Sequence, residues 1–189
     1  AEVVRNQTIC TSRSFGQMVG DLPSLRASVA TFAASCASKL RGQRGGARQL
    51  TVFICSNRFR EDLPQYSAAE STLLVVPTAD TIEITTAALQ LLDRIYRPGI
   101  LYKRAGVLLM GVEPATAIQP DLFSFDAEKH SRMTRLDHAV DKINKVEGTE
   151  TVILSSQQYA DGKKFADAIR HAHRRPCPTT RWNDIIKLT

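Results

Sequence analysis

Alternation of polar and apolar positions marks four short segments in the first two thirds of the chain. Each segment is rich in β-branched residues and ends at small or polar residues, which is typical of strands. The predicted strands are 7–15, 48–56, 71–76 and 101–110.

Between these strands, two longer stretches repeat apolar residues every three or four positions, as helices do. The first helix is expected to begin after Asp21, a plausible cap, and to end at Gly42. The second follows Asp80, which forms a capping-box pattern with Glu83, and it ends before Pro98.

The resulting order is strand, helix, strand, strand, helix, strand. This order predicts an α+β fold in which both helices cover one face of a four-stranded sheet and leave the other face open. We place this βαββαβ domain at residues 7–111, a linker at 112–126 and a small mixed α/β subdomain at 127–189.

The last third of the chain has weaker patterns. They predict a helix that starts at 133 and ends at Gly148, a short strand at 151–154, a weak helix at 163–173 and a terminal strand or extended tail at 182–188. This is too little for an independent core, so we expect the subdomain to lean on another surface.

Positive charge is concentrated at the start of the chain. The formal net charge is +6, and residues 1–60 alone carry nine Lys and Arg against two acids. Such an imbalance favours a polyanionic partner, most commonly nucleic acid, although a solvated basic surface explains the charge equally well. Five basic residues are expected to flank the open sheet face: Arg13, Arg44, Arg48, Lys103 and Arg104.

Motifs of the common enzyme classes do not occur in the sequence. Residues 42–48 contain glycines and arginines but lack the Lys before Ser or Thr of a phosphate-binding loop. Neither a catalytic triad motif nor the carboxylate cluster of a two-metal site is present, and the four His residues do not complete a metal set. With no run of ~20 apolar residues and no signal-peptide pattern, a soluble cytoplasmic protein is expected.

Aromatic residues argue against a sheet that reads RNA bases. Such sheets stack bases on paired aromatic residues, whereas the strands here offer mainly Phe15 and Phe53, and we expect Phe53 in the core. Tracking of the backbone by amides, hydroxyls and arginines fits the residues better. The first three cysteines, Cys10, Cys36 and Cys55, are also expected as small core residues.

The segment from Gln119 to Phe123 carries two large apolar residues in a stretch without helical or strand period. Leu122 and Phe123 are therefore candidate anchors for a pocket on another protein, with a polar residue fixing the register. The alternative is a loop in which these side chains fold back onto the nearest core.

Motifs along the chain, taken in order and spacing, resemble one family, the UmuC/MucB/RumB/ImpB group of Y-family translesion DNA polymerases. They are Ser12-Arg13-Ser14-Phe15-Gly16, Tyr102-Lys103-Arg104-Ala105-Gly106-Val107, Gln119-Pro120-Asp121-Leu122-Phe123 and, near the end, Thr179-Thr180-Arg181-Trp182-Asn183-Asp184. The resemblance is to the C-terminal part of these proteins and runs through the whole chain.

The resemblance implies that residues 7–110 are a little-finger domain, which in Y-family polymerases places its sheet against the DNA major groove and grips phosphates. Joined with the basic flank, it gives eight residues expected to contact primer-template DNA. They are Ser12, Arg13, Ser14, Arg44, Arg48, Arg58, Lys103 and Arg104.

By the same resemblance, the pentapeptide is a β sliding-clamp-binding motif. Leu122 and Phe123 would fill the apolar pocket of the clamp, Gln119 would bond at its rim, and Asp121 completes the set. Pro120 is a departure from the motif of the family, at its variable second position. We expect it to be tolerated, because Pro favours the extended backbone conformation of such a motif. Residues from 127 onward resemble the extension implicated in contacts with UmuD′ and RecA.

The family's palm, fingers and thumb, with their Mg²⁺-binding carboxylates, lie N-terminal to the little finger. We therefore expect a fragment that holds no cofactor and does not polymerise DNA alone. The predicted function is DNA binding and clamp tethering for an error-prone polymerase in translesion synthesis and the SOS response to DNA damage. The alternative is a protein-interaction scaffold whose basic face docks an acidic protein.

Overall fold

The computed structural model of the protein describes residues 7–114, 127–148 and 150–158. Four strands form one antiparallel sheet in the order β1-β4-β2-β3. The elements are β1 (Thr8–Val19), α1 (Leu22–Gly42), β2 (Gly45–Ser56), β3 (Ser67–Thr78), α2 (Thr81–Ile95), β4 (Tyr102–Pro114), α3 (Ala127–Val146) and a 3₁₀ turn (Ser155–Gln157). The predicted α+β fold and its βαββαβ order are confirmed.

Local capping sets the start of both predicted helices. The Asp21 carboxylate accepts a hydrogen bond from the Ser24 N–H at 2.8 Å. Helix α1 begins at Leu22, directly after this cap. At α2, one Asp80 carboxylate oxygen accepts from the N–H groups of Ile82 and Glu83, at 2.8 and 2.9 Å. Each cap satisfies helix N–H groups that have no partner within the helix, so sequence-local chemistry fixes where the helix starts.

The core lies between the two helices and one face of the sheet. Apolar side chains of α1 and α2 pack onto alternate residues of the strands. The largest fully buried ones are Leu25, Phe32, Leu40, Ile84, Leu91 and Leu92 from the helices and Leu50, Ile54, Tyr102 and Leu109 from the strands. The intervening strand residues point away from the helices, so the other face is open, as predicted.

Every strand is longer than the sequence pattern predicts. β1 does not end at Gly16 but continues to Val19 after a register shift beyond Ser14. β2 and β4 extend each other, since Gly45 pairs with Pro114 and Gly46 with Glu113. Backbone pairing continues where the alternation of side chains has stopped, and it carries β4 into the span predicted as linker.

The described part of the C-terminal subdomain packs against α1 and the start of α2. Helix α3 begins six residues before the predicted start and ends at Val146, two residues before the predicted end. The predicted strand at 151–154 is wrong, because the backbone there is held by a side chain rather than by another strand. The Asn144 amide donates to the Val152 carbonyl at 3.0 Å and accepts from the Val152 N–H at 2.8 Å. The predicted elements at 163–173 and 182–188 lie outside the described residues.

The burial of Cys10, Cys36 and Cys55 depends on the element and the sheet face on which each lies. Cys36 is buried in the core, but Cys10 is exposed and Cys55 is half-buried, so the expectation of three core cysteines is wrong for two of them. Both fall on strand positions that point away from the helices.

Candidate nucleic-acid interface

The open face presents four rows of side chains that cross all four strands. In strand order β1, β4, β2, β3 the rows are Ser14, Arg104, Cys55 and Ser67; Ser12, Gly106, Phe53 and Ala69; Cys10, Leu108, Thr51 and Ser71; Thr8, Met110, Gln49 and Leu73. Six of these positions are hydroxyl residues and one, Arg104, is charged. The face is therefore rich in hydroxyl groups, with a single cation near one end.

Arg104 is held in place by its neighbours on this face. One of its guanidinium nitrogens donates to the Ser12 hydroxyl at 2.9 Å, and the guanidinium carbon lies 5.8 Å from the centre of the Phe53 ring. Ser14 is its direct cross-strand partner. Hydrogen bonding and a cation–π contact reduce the freedom of the side chain while leaving it exposed, which favours binding of an anion.

Phe53 lies on the open face and not in the core, so the sequence expectation for it is wrong. Its ring crosses to β4 above Gly106, where an added Cβ would collide with the ring and would lie 2.5 Å from the Ser12 Cβ. The glycine thus makes room for the aromatic ring that supports Arg104. Phe53 alternates with the buried residues Val52 and Ile54, which was the sequence signal for the open face. The glycine that makes room for its ring can be identified only from the sheet register.

Two further predicted cations lie at the Arg104 end of the sheet. The Lys103 ammonium donates to the Phe15 carbonyl at 2.6 Å and reaches the Gly16 carbonyl at 3.4 Å, so it is committed to the bulged end of β1. Arg58 is exposed in the loop after β2 and lines a shallow pocket that Ser67 also lines. Both add positive potential near Arg104, although neither side chain belongs to the four rows.

Arg13 lies on the opposite side of the sheet from Ser12 and Ser14. Strand alternation turns it toward the helices, where it lines a cavity of about 330 Å³ together with Thr11 and Lys39. The Lys39 ammonium donates to the Thr11 hydroxyl at 3.0 Å, which fixes this part of the cavity wall. The structure therefore does not bring Arg13 together with the two serines that flank it in sequence.

Arg44 and Arg48 lie at the far end of the sheet from Arg104. Arg44 is exposed at the turn between α1 and β2, with a left-handed φ of 52°. Arg48 forms a two-pronged ion pair with Glu113, at 2.8 and 3.0 Å. The hydrogen bond with Glu113 raises the pKa of Arg48, and the same bond lowers the pKa of the carboxyl. Arg48 is thus partly neutralised within the protein.

The predicted clamp-binding residues, Gln119, Asp121, Leu122 and Phe123, lie outside the described residues. In sequence they fall between the end of β4 and the start of α3. Their role stays a prediction that rests on the motif.

A buried cluster around Arg41 was not singled out from the sequence. The Arg41 guanidinium donates to both Asp141 carboxylate oxygens at 2.7 and 2.8 Å, and to the Ala79 carbonyl and Thr81 hydroxyl at 2.7 and 2.8 Å. Asp137 lies 3.3 Å from the same guanidinium and accepts from the Thr81 N–H at 3.1 Å. The acids at positions 137 and 141, four residues apart in α3, were the available signal of a common docking face. The cluster fixes α3 to α1 and α2.

Within residues 7–114, 127–148 and 150–158, we find no cluster of three or more potential metal ligands. No helix in this part of the chain is long and apolar enough to span a membrane. The open face itself offers hydroxyl groups and one positioned guanidinium.

Comparison with known proteins identifies relatives of the chain. Residues 6–122 match the impB/mucB/samB family C-terminal domain, and residues 134–188 match a domain of unknown function, DUF4113. UmuC of Salmonella typhimurium is 31% identical over 182 residues, which are 96% of this chain and 42% of that protein. MucB of Escherichia coli is 35% identical over 179 residues, which are 95% of this chain and 41% of that protein.

The chain thus spans about two fifths of the length of these relatives. Among solved structures, a complex described as β-clamp processivity factor with the little finger domain of PolIV aligns with a TM-score of 0.42 at 12% identity. It covers 61% of this chain and 98% of that one, a likeness too distant to bear on function. The family match extends over more than half of the chain, from the strand that carries Ser12 to the segment after β4. The protein belongs to the impB/mucB/samB family and carries its C-terminal domain.

Proposed function

We propose that residues 7–114 bind duplex DNA through the Arg104 end of the open sheet face. The observation that carries the proposal is the arrangement of Arg104, held over Phe53 and bonded to Ser12, among exposed hydroxyl residues. Hydroxyl groups and arginines typically contact phosphate and sugar, which fixes a protein on DNA without reading the sequence. The small side chains around them let a DNA backbone approach the sheet closely.

The proposal distinguishes the two ends of the sheet. Arg58 and Lys103 add positive charge at the Arg104 end, whereas Arg48 at the other end is already paired with Glu113. A phosphate that approached Arg48 would have to compete with a carboxylate. We therefore assign phosphate contact chiefly to Ser12, Ser14 and Arg104, and a smaller share to Arg44 and Arg48.

The salt dependence of DNA binding tests this assignment. With ~4 phosphates neutralised, the log-log slope of affinity against salt concentration is expected to be about −4. Arg104→Gln should make this slope shallower by about one and weaken binding to all DNA sequences alike. Arg48→Gln is the matched control and should change the slope less. An Arg48 effect equal to or larger than that of Arg104, or an affinity independent of salt, would contradict the proposal.

We further propose that Gln119, Asp121, Leu122 and Phe123 tether the chain to the β sliding clamp. The motif and its position between two parts of the chain support this. The double substitution Leu122→Ala and Phe123→Ala should abolish clamp binding while DNA affinity and the melting temperature stay unchanged. A lowered melting temperature would instead indicate that these side chains pack on the chain's own core.

On this proposal the chain is the binding portion of an error-prone Y-family polymerase that acts in translesion synthesis and the SOS response. Family membership and the two-fifths coverage of relatives support a larger whole. The family resemblance implies that its Mg²⁺-dependent palm would lie N-terminal to this region. UmuD′ and RecA are the partners proposed for the extension, in the bacterial cytoplasm near the nucleoid. The 189-residue chain alone should add no nucleotide to a primer in Mg²⁺, and addition would contradict its assignment as a binding portion.

The alternative is a scaffold that docks an acidic protein, and the position of Arg13 favours it. Arg13 lies beside Lys39 on the helical side, away from the proposed DNA face. Charge reversal separates the two functions: Arg104→Glu should abolish DNA binding, whereas Arg13→Glu should leave it intact. Loss of DNA binding on Arg13→Glu with none on Arg104→Glu would refute the proposed DNA face.

A further inference from the structure

Helix α3 has two apolar sides, and among the described residues only one of them packs on other elements. The docked side turns Val140, Asp137 and Asp141 toward α1 and α2. The outer side carries Leu136, Ala139, Ile143 and Val146, here called the outer stripe. Leu136 is 48% exposed, Ile143 40% and Val146 72%.

The spacing of the outer stripe is three, four and three residues. This is the spacing of the a and d positions that pack against a second helix in a coiled coil. Leu136 and Ile143 occupy a positions, and Ala139 and Val146 occupy d positions. A regular apolar seam on a helix that is already anchored by its other side indicates a docking surface for another helix.

Charge along the stripe identifies the kind of helix. Exposed basic residues line the flank next to the d positions, with Arg135 and Lys142 at g and Lys145 beside them at c, and Arg132 occupies the d position that precedes the stripe. On the other flank, Glu147 follows the last stripe residue. From these observations we infer that the outer stripe binds an amphipathic helix of another protein, with apolar a and d residues and an acidic flank.

The two other available occupants match this charge poorly. A second copy of α3 could pair Lys142 with Glu147 at best and would bring its own basic flank to the interface. Residues 159–189 of the chain itself carry seven Lys and Arg against three acids, so they too would oppose like charge.

A cavity adjoins the outer stripe on the side opposite the basic flank and enlarges the docking surface. Leu136 lines both the stripe and the cavity of about 330 Å³, and Val140, Val152 and Leu154 line the cavity as well. An apolar side chain of the docked helix has room to enter it. The site lies on the helical side of the domain and does not depend on the proposed DNA or clamp binding.

Three designed peptides test the inference on the full 189-residue chain. The first has Leu at a and d and Glu at e and g over three heptads, the second has Lys in place of Glu, and the third has the composition of the first in scrambled order. Fluorescence anisotropy in moderate salt should show the Glu peptide binding at least tenfold more tightly than either control. Ile143→Asp should abolish this preference, and Lys142→Glu with Lys145→Glu should shift it toward the Lys peptide.

Two controls separate the stripe from general charge attraction and from misfolding. Arg58→Glu reverses one charge away from α3 and should leave peptide binding unchanged. Ile143 is exposed, so the melting temperature of Ile143→Asp should match that of the wild type. Equal binding of all three peptides would overturn the inference. So would absence of binding, which would mean that the stripe is already covered, or a wild-type dimer in sedimentation that Ile143→Asp dissociates.

Discussion

Replacement of Arg41 by Met should release α3 from the rest of the domain. The guanidinium is 9% exposed, and its partners Asp137 and Asp141 are 12% and 25% exposed. Met keeps most of the side-chain volume but removes every hydrogen bond that the guanidinium donates. Two carboxylates would then remain at a largely buried surface without a counter-charge, and separation of α3 is the simplest way for them to regain water.

The expected cost is about 3 kcal/mol. Removal of one member of a buried ion pair typically costs about 3–5 kcal/mol, because the remaining charge is desolvated and unpaired. The lower end applies because Asp141 keeps a quarter of its surface in water. Arg48→Met breaks an ion pair of similar geometry whose members are 53% and 35% exposed, and it should destabilise the protein far less because solvent screens that pair.

Urea unfolding monitored by far-ultraviolet circular dichroism measures the free energy of unfolding of Arg41→Met and of Arg48→Met. Amide hydrogen exchange reports on α3 alone. Exchange in α3 should accelerate in Arg41→Met while the core strands stay protected. A triple variant, with Asp137→Asn and Asp141→Asn added, should recover part of the loss because no unpaired charge remains. If Arg41→Met costs no more than Arg48→Met, or if α3 exchange is unchanged, the cluster does not hold α3 in place.

Two further perturbations test other parts of the structure. Gly106→Ala should destabilise the sheet by about 1–3 kcal/mol in thermal melts, and Phe53→Leu should restore only part of this because the contact with Ser12 remains. Burial raises the pKa of Asp141, but the hydrogen bond and charge of Arg41 lower it by more, so the folded-state pKa lies below the unfolded value. The stability advantage of wild type over Asp141→Asn should therefore be full above about pH 3.9 and vanish as the pH falls through the folded-state pKa. A constant difference across that range in urea titrations, or an unchanged melting temperature for Gly106→Ala, would refute the respective prediction.

The starts of α1 and α2 were predictable because their causes are local. Asp21 and Asp80 accept hydrogen bonds from residues two or three positions away, so the sequence contains both partners of each cap. Strand ends were not, because they depend on a neighbour far along the chain. The pairing of Gly45 with Pro114 extends β2 and β4 through residues with no alternating pattern.

The same distinction applies to the candidate site. Ser12 and Arg104 were both predicted as DNA contacts from their motifs, and the structure joins them by a hydrogen bond. Sequence reasoning put Arg13 beside the open face, whereas the buried positions of Ile9 and Phe15 on the same strand put it on the helical side. Arg41 was missed because its partner Asp141 lies 100 residues away.

The open face and the helical side of the domain are proposed to bind different partners, and the linker between β4 and α3 is short. The open face is proposed for DNA, while the helical side carries α3 through the Arg41 cluster. Between Pro114 and Ala127 the chain spans at most about 45 Å, even fully extended. A clamp held at Gln119–Phe123 is therefore tied to the sheet on one side and to an anchored helix on the other. The Arg41 cluster limits the reach of the proposed tether as well as the position of α3, because release of α3 would free one end of the linker.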